Sequence, residues 1–344
     1  MKKPKTIFLY LNNSGGLALG DAIIQLPFIR AFKEWSPETQ ITVCPGNAGI
    51  QKLIPLFQPY ITEKVDAIPQ EETAKFDWVF DLCGESQKVA WRLRRLSKKR
   101  FYTTAWRGWL HAPRLPLYHG KHVLNRHLGL FRQATGSNIK NPWPWPIPET
   151  YLTAAKDILP DGPVYIGIAP GAGNPTQKKR WPLVNYVELA KKIALQGWVP
   201  VVFLGPDEAG WEKAFGDIEG VRFPEAESRT SPGAMPGGPT FVVALATRLQ
   251  AAVTNCCGNG HLFALASAPL ISLFGPTCYL KFAPFTPTGY CMLPSEKNSK
   301  KMEDIKLEAV FSAIHALVIR DSRTSLLQKD YIKRISFPDI WMNK

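Results

Sequence analysis

The apolar positions of the first half form short runs separated by loops rich in small and polar residues. "TIFLYLN" (6–12), "QITVCPG" (40–46) and "FDWVFDLCG" (76–84) are largely apolar runs of strand length, as expected of strands buried in a parallel sheet. A helical pattern covers roughly residues 21–35, and Pro27 predicts a kink or a break in that helix. Strands that alternate with helices in this way predict a mostly parallel α/β sheet.

The second half repeats this rhythm. "VYIGIAPGAG", "WVPVVFLGPDE" and "PLISLFGPT" predict strands that run into loops, and residues 224–240 predict a long Gly/Pro/Ser-rich loop. Helices are predicted for "YLTAAKDIL", for "PLVNYVELAKKIALQG" ending at Gly197, for "FVVALATRLQAA" and for the amphipathic "IKLEAVFSAIHALVIRD".

A connector separates the two halves. "NPWPWPIPE" (141–149) has proline at every second position, which favours a stiff extended segment over a helix or a central strand. We therefore predict an α/β protein of two Rossmann-like domains that face each other across a cleft. The predicted domains are residues 1–148 and 149–322, followed by a tail, 323–344, that is expected to pack back on the N-terminal domain.

Composition agrees with this organisation. The chain has 344 residues, 45% of them apolar and 20% charged, which is typical of a soluble globular protein of two domains. No apolar run approaches the roughly 18–20 residues that cross a bilayer. The basic and apolar start is interpreted as a buried strand, because its apolar stretch is too short for a secretion signal. The six cysteines favour reduced thiols in the cytoplasm, and neither zinc-ligand spacing nor a DxD pair indicates a metal site.

The net charge of +14 is concentrated in one segment. Residues 86–148 contain thirteen Lys and Arg and no Asp or Glu. Within it, "WRLRRLSKKRFYTTAWRGW" interleaves cations with aromatic rings. Such a segment favours contact with a polyanion or an anionic membrane face over a merely solvated helix face.

Three loops follow predicted strands of the second half, where open α/β sheets bind ligands. In "APGAGNPTQKKRWP", glycines allow close approach of a ligand and cations 178–180 supply charge, although neither the Walker loop nor the Rossmann GxGxxG is present. In "FLGPDEAGWE", Asp207 or Glu208 either binds a ribose diol or caps a helix. In "NCCGNGHLFALA", glycines lead into a helix whose free N–H groups favour a diphosphate, with His261 as a further donor.

A single aspartate in the first half raises a separate question. In "NNSGGLALGDAIIQLP" (12–27), Asp21 follows a small-residue loop where a helix begins. Asp is a preferred helix-capping residue, and it is also a suitable general base. The local sequence leaves both roles open.

Four stretches in order resemble the heptosyltransferases of glycosyltransferase family 9, which build the inner core of lipopolysaccharide. They are "LGDAIIQLPFIRAF", "PGAG…KKRWPLVNYVELA", "VVFLGPDE" and "NCCGNGHLFALASAPLISLFGPT", and the resemblance covers roughly residues 5–320. It implies the two-domain GT-B fold and transfer of heptose from ADP-heptose, with inversion at the anomeric carbon and without a metal or other cofactor. It also implies that Asp21 is the general base and that Lys179, two residues before "WP", stabilises the leaving diphosphate.

The same resemblance implies the substrate contacts. The donor is expected at Gly171, Ala172, Gly173, Arg180, Asp207, Glu208, Asn255, Cys256, Gly258, Gly260 and His261. The acceptor is expected at Gly15, Gly16, Arg92, Arg94, Arg95, Lys98, Lys99, Arg100 and Trp106. Cys256 departs from the family, which usually has there a carboxylate that contacts the donor, and a thiol is a poor acceptor for sugar hydroxyls.

The leading hypothesis is therefore a heptosyltransferase at the inner face of the cytoplasmic membrane, acting on an anionic lipid-linked oligosaccharide and not on nucleic acid. Cys256 keeps two alternatives open: the same fold with another nucleotide sugar, such as a hexose donor, and a non-catalytic protein that binds saccharides or polyanions. Charge and interleaved aromatic residues leave a nucleic-acid binder as a further alternative. The vicinal pair Cys256–Cys257 allows a redox device, although buried structural thiols are commoner.

Overall fold

The computed structural model describes most of the chain in two units. It covers residues 2–11, 19–45, 51–70, 74–84, 87–103, 122–139, 143–173, 178–230, 237–296, 298–319 and 329–335. The units are Met1–Pro142 and Trp143–Lys344. The division falls inside the predicted proline-rich connector, slightly before the boundary predicted at residue 148.

The N-terminal unit is built on a five-stranded parallel sheet of order β3-β2-β1-β4-β5. Its strands are β1 (Thr6–Tyr10), β2 (Gln40–Cys44), β3 (Glu63–Lys64), β4 (Phe76–Asp81) and β5 (Ser97–Thr103). Its helices are α1 (Leu19–Ile23), α2 (Leu26–Trp35), α3 (Ile54–Phe57), α4 (Gln87–Arg95) and α5 (Val123–Thr135), with a 3₁₀ turn at Gln58–Tyr60. The parallel register, for example Thr6↔Gln40 and Ile7↔Trp78, brings all strand carboxyl ends to one edge.

Local sequence accounts for the elements around this sheet. The predicted helix 21–35 is interrupted before Leu26, and Pro27 lies at the start of α2, where its missing N–H has no helical partner to lose. The predicted break is thus confirmed. Helix α4 buries Ala90 and Leu93, three residues apart, against the sheet.

The C-terminal unit has a six-stranded sheet of order β11-β10-β9-β8-β6-β7, parallel except for β11. Its strands are β6 (Tyr165–Ala169), β7 (Val199–Val202), β8 (Leu249–Asn255), β9 (Leu270–Leu273), β10 (Gly289–Met292) and β11 (Ile332–Ile335). Its helices are α6 (Glu149–Ile158), α7 (Leu183–Ala194), α8 (Glu212–Phe215), α9 (Pro224–Thr230), α10 (Pro239–Ala246), α11 (Gly258–Leu265), α12 (Tyr279–Phe282) and α13 (Leu307–Val318), with 3₁₀ turns at Pro206–Glu208 and Met302–Asp304.

Two expectations for this unit are corrected. The predicted helix over 241–252 ends at Ala246, and the apolar run from Leu249 is the central strand β8, because a fully buried strand lacks the alternation that separates it from a buried helix. Residues 224–230 form a helix inside the predicted loop. In the tail, Ile332–Ile335 forms a strand that pairs with β10 of the C-terminal sheet, and packing of the tail on the N-terminal domain stays a prediction.

The predicted fold class is confirmed, since each unit is a parallel α/β sheet with helices. Among the residues that the model describes, no helix has both the length and the hydropathy to cross a bilayer.

Candidate active site

The three predicted donor loops converge at one edge of the C-terminal sheet. They follow β6, β7 and β8, which are neighbours in the order β8-β6-β7 and run parallel. Their carboxyl ends therefore open onto the same edge, where ligands of doubly wound sheets bind. Hydrogen bonds then join the loops to one another.

Asn255 is the link between two of these loops. At the end of β8, its Nδ2 donates to the carbonyls of Pro170 at 2.7 Å and Gly171 at 3.3 Å. Its Oδ1 accepts the N–H of Trp181 at 2.9 Å, and the residue is 0% exposed. Asn255 therefore joins and positions the two loops, and its expected contact with the donor stays a prediction.

Removing this link should destabilise the C-terminal unit. In Asn255→Ala, the buried N–H of Trp181 and the carbonyl of Pro170 lose their partner. We expect the free energy of unfolding to fall by about 3 kcal/mol, the cost of leaving buried polar groups unpaired. Urea denaturation of the full chain measures this change. Gln196→Ala, in an exposed turn, is the control, and an equally small effect of both variants would contradict the linking role.

Glu208 and Arg180 form a partly buried ion pair that joins the loop after β6 to the loop after β7. Arg180 Nη2 lies 3.3 Å from Glu208 Oε1 and donates to the carbonyl of Gly173 at 3.0 Å. Glu208 Oε2 accepts the N–H of Gly205 at 3.1 Å. A Cβ at Gly171 would lie 2.5 Å from the Glu208 carboxyl carbon, so this position needs glycine for a reason other than ligand approach.

This arrangement distinguishes the two carboxylates, Asp207 and Glu208, that were predicted as alternatives for binding a ribose. Glu208 is buried at 5% exposure and paired with Arg180, so the expected contact between its carboxylate and a ribose is not available in this conformation. Burial raises the pKa of the Glu208 carboxyl, an effect opposed by Arg180 and by the N–H of Gly205. Asp207 is exposed on the same 3₁₀ turn and is the carboxylate that remains accessible to a ligand.

Trp181 anchors the loop that presents Lys179. The indole is buried, its Nε1 donates to the carbonyl of Ile305 at 2.9 Å, and its ring meets Tyr186 edge-on at 5.0 Å. Lys179, two residues earlier, is half-buried, and no carboxylate in the described ranges forms an ion pair with it. The loop therefore holds an ammonium group near the sheet edge without neutralising it internally.

The third loop brings a helix N-terminus to the same edge. Cys257 precedes α11 in extended conformation, and the first turn, with Gly258 and Gly260, has N–H groups without helical acceptors. A Cβ on Gly260 would lie 2.9 Å from both Thr254 Oγ1 and Pro284 Cγ, so the glycine permits close packing of α11 on its strand. This is the predicted geometry for an anion site.

His261 differs from its expected role. Burial lowers the pKa of its imidazole to about 4, and the ring hydrogen-bonds to the backbone of Phe282. At neutral pH the imidazole therefore carries no charge, and its one N–H is used by Phe282. The expected donation from His261 to a diphosphate is corrected, and any positive charge at this edge comes from other residues.

The two adjacent cysteines have different surroundings. Cys256 is half-buried and packs beside Phe274, Ala283 and Cys291, so its expected contact with the donor stays a prediction. Burial raises the pKa of the Cys257 thiol to about 11, although the N–H groups of Asn259 and Gly260 favour the thiolate. A thiol with this pKa is largely protonated at neutral pH, which disfavours the redox alternative.

Asp21 lies at the corresponding edge of the N-terminal sheet. Asp21 is half-buried and is the third residue of α1. It therefore lies inside the first turn of this helix and not at the N-cap position that precedes the turn. A carboxylate there interacts favourably with the helix dipole without being the N-cap. Gly15 and Gly16, the expected acceptor contacts in the preceding loop, lie outside the described residues.

A buried polar network that the sequence analysis missed supports this edge. Asp81, fully buried at the end of β4, accepts the N–H groups of Cys83 and Gly84 at 3.1 and 2.9 Å and the Thr103 hydroxyl at 2.7 Å. His127 Nε2 lies 3.1 Å from the carbonyl of Leu82, and burial lowers the pKa of this imidazole to about 4.

The network also reaches the helix pair that contains Asp21. Gln25, between α1 and α2, donates to Cys83 Sγ at 3.9 Å, while Cys83 Sγ lies 3.9 Å from the carbonyl of Tyr10. The ends of β1 and β4 and the α1–α2 junction are thereby tied together. An aspartate at the end of a buried strand, with glycine three positions later, was the available sequence signal for this network.

The basic cluster lies at the opposite edge of this sheet. Arg92, Arg94 and Arg95 are in the last turn of α4, and Lys98, Lys99 and Arg100 are in the first half of β5. Lys99 Nζ pairs with Asp77 Oδ1 at 2.8 Å near the start of β4, roughly 13 Å from the carboxyl end of that strand at 3.3 Å per residue. This placement separates these cations from the edge that holds Asp21 and does not support their expected contact with the acceptor; Trp106 lies outside the described residues.

A resident metal ion would need several ligand side chains close together within the described ranges. No three His, Cys, Asp or Glu side chains converge there as metal ligands. Metal-independent transfer stays a prediction.

Known proteins provide the comparison for this geometry. The model of glycosyltransferase family 9 (heptosyltransferase) matches residues 72–310. The solved family 9 glycosyltransferase from Veillonella parvula DSM 2008 is similar with a TM-score of 0.72 and 18% identity, over 92% of this chain and 98% of that chain. None of the curated proteins compared with the chain matches it in sequence.

Two E. coli structures are similar over nearly the same length. The heptosyltransferase WaaC with ADP has a TM-score of 0.67 and 16% identity, over 91% of this chain and 99% of that chain. The ADP-heptose lps heptosyltransferase II has a TM-score of 0.66 and 18% identity, over 92% and 99%. At such identities the likeness establishes the fold, which is the GT-B fold expected from the sequence.

Proposed function

The chain belongs to glycosyltransferase family 9, and from this we propose that it transfers heptose from ADP-heptose to a lipopolysaccharide inner-core saccharide or a related anionic lipid-linked saccharide. The proposed transfer inverts the anomeric centre and needs no metal ion. The observation that carries the proposal is the convergence of Lys179, the N-terminus of α11 and Asp207 at one edge of the C-terminal sheet.

Each part of this edge suits one part of the donor. The N-terminus of α11 and the Lys179 ammonium favour a diphosphate through the helix dipole and direct charge. The exposed Asp207 carboxylate suits a ribose diol. Structures of relatives support this reading, since WaaC has been solved with ADP and with ADP-2-deoxy-2-fluoro heptose.

The chemistry assigns complementary tasks to the two units. Asp21 accepts the proton of the acceptor hydroxyl while the oxygen of that hydroxyl forms the new bond to the anomeric carbon. The bond between that carbon and the donor phosphate oxygen breaks, and ADP leaves with the electron pair. Charge builds up on the diphosphate in an oxocarbenium-like transition state, where Lys179 and the α11 N–H groups stabilise it.

Arg180 has a different task from Lys179. Its Nη2 is shared between Glu208 and the carbonyl of Gly173, and its guanidinium lies over the Trp211 ring at 5.3 Å. Because these contacts already engage it, Arg180 mainly fixes the shape of the donor loops. Lys179 is therefore the cation proposed to meet the leaving group.

Calorimetric titration tests the donor class directly. We expect ADP and ADP-heptose to bind the wild-type protein, and UDP and GDP to bind at least about tenfold more weakly, equivalent to about 1.4 kcal/mol. Preference for UDP or GDP would instead favour another nucleotide sugar, the alternative that Cys256 keeps open. Binding of none of these nucleotides would favour a non-catalytic saccharide-binding protein.

The proposed acceptor places the enzyme at the inner face of the cytoplasmic membrane as a peripheral protein. An anionic saccharide linked to lipid stays at the bilayer surface, so the enzyme must work there. A basic protein concentrates at such a surface through its electrostatic attraction to anionic lipids.

A further inference from the structure

One face of the N-terminal unit combines unpaired cations with an exposed tryptophan. Helix α4 turns Ala90 and Leu93 inward, and its outward positions Lys88, Trp91, Arg92 and Arg95 follow at helical spacing. Lys98 continues this surface on β5, the edge strand of the sheet. We call these five residues the basic flank.

The charges of the basic flank are not neutralised within the described part of the unit. Lys88, Arg92, Arg95 and Lys98 are exposed, and none forms an ion pair with a carboxylate there. This differs from neighbouring Lys99, whose ammonium is paired with Asp77. The flank therefore presents net positive charge to a partner.

Trp91 gives the flank an aromatic centre. Its side chain is 49% exposed, although burial would stabilise an indole, and Arg95 stacks over the ring at 4.8 Å. Tryptophan with its polar N–H and apolar ring is enriched where membranes meet water. The combination fits a surface that is anionic at its headgroups and apolar below them.

The flank is distinct from the edge that holds Asp21. Leu96, directly after α4, accepts hydrogen bonds from the N–H groups of Lys75 and Phe76 at the start of β4, so α4 runs back toward the amino edge. Its nine residues span roughly 14 Å of the side of the sheet. A bilayer against this side leaves the carboxyl edge open for a saccharide extending from the membrane.

We propose that the basic flank docks the enzyme on an anionic lipid bilayer, separately from acceptor recognition. The inference rests on the proposed function, because a lipid-linked acceptor is what brings the enzyme to a membrane. Cations and aromatic rings also suit nucleic acid, but a lipid-linked substrate supplies a reason for membrane contact only.

Vesicle sedimentation tests the docking. The probes are phosphatidylcholine vesicles with and without phosphatidylglycerol, and the variant is Arg92→Gln/Arg95→Gln/Lys98→Gln in the full chain. We expect binding of the wild type only to the anionic vesicles, and a loss on the order of 100-fold in the variant, since each cation near such a surface contributes roughly fivefold. Trp91→Ala alone should weaken binding with less dependence on salt.

A matched variant controls for total charge. Lys213→Gln/Lys300→Gln/Lys329→Gln removes three exposed cations from the C-terminal unit and should bind vesicles within about twofold of the wild type, because no charge of the flank changes. Equal losses in both triple variants would overturn the proposal, because they would indicate a general charge effect. So would wild-type binding to duplex DNA that is as tight as binding to anionic vesicles.

A delipidated, water-soluble acceptor saccharide separates this inference from the proposed function. We expect the flank variant to transfer heptose to it at the wild-type rate. Loss of that transfer would overturn the proposal and return these cations to the acceptor site. If the wild type itself shows no transfer, the proposed function fails, while the vesicle measurement still decides whether the flank docks.

Discussion

Asp21→Asn is expected to lower the rate of heptose transfer by a factor on the order of 10²–10⁴, with little change in ADP-heptose affinity. The amide keeps the size of the side chain but cannot accept the acceptor's proton, and general-base catalysis contributes about this much. Donor affinity should persist because the donor loops belong to the C-terminal unit and Asp21 to the N-terminal one. Single-turnover transfer and calorimetry measure the two quantities separately.

The position of Asp21 makes a structural role the competing explanation. A carboxylate in the first turn of α1 also stabilises that helix by roughly 0.3–1 kcal/mol. Asp66→Asn, which removes an exposed carboxylate of the same unit, is the control. Transfer by Asp21→Asn at near the wild-type rate, with only a lower unfolding midpoint, would assign Asp21 to helix stabilisation.

The donor edge was predictable because its signals are local. Each of its loops begins where an apolar run gives way to glycine, and parallel strands bring such points together. Lys179 was singled out by the family resemblance, as the lysine two residues before "WP", and the burial of Trp181 fixes this part of the loop. These relations need only a few neighbouring positions of the chain.

The side-chain contacts inside that edge were not predictable in the same way. Asn255 bonds to Trp181, 74 positions away, and Glu208 pairs with Arg180, 28 positions away. Both residues stand in loops that suggest ligand contact, and both join loops to one another. Only the folded sheet shows which polar groups are open to a ligand and which are hydrogen-bonded to one another.

The basic segment shows a related limit. Its sequence reveals the positive charge and the interleaved aromatic rings. The edge of the sheet at which these cations lie depends on β5, a strand that the sequence analysis did not predict. Because β5 begins at Ser97, Lys98 and Lys99 lie at the amino edge. The structure thus places this cationic run away from the carboxyl edge that holds Asp21.

Lys179 should be the most important cation for the donor. It is half-buried, it lies two residues before the buried Trp181, and it has no carboxylate partner in the described ranges. Lys178 beside it is exposed, with a backbone φ of 48°, and Arg180 is already engaged by Glu208. Of three consecutive cations, the geometry thus leaves one to approach a diphosphate.

Lys179→Ala is accordingly expected to weaken ADP-heptose binding by roughly 10–100-fold, because a hydrogen bond to a charged group contributes about 1.5–3 kcal/mol. The rate of transfer from bound donor should fall as well, because charge on the diphosphate grows as the sugar leaves. Lys178→Ala removes the same charge one residue earlier and retains a Cβ, so it adds no backbone strain and should change both quantities less than threefold. If Lys178→Ala has the larger effect, the diphosphate is bound by the exposed side of the loop. Lys179 then has a structural role and does not contact the diphosphate.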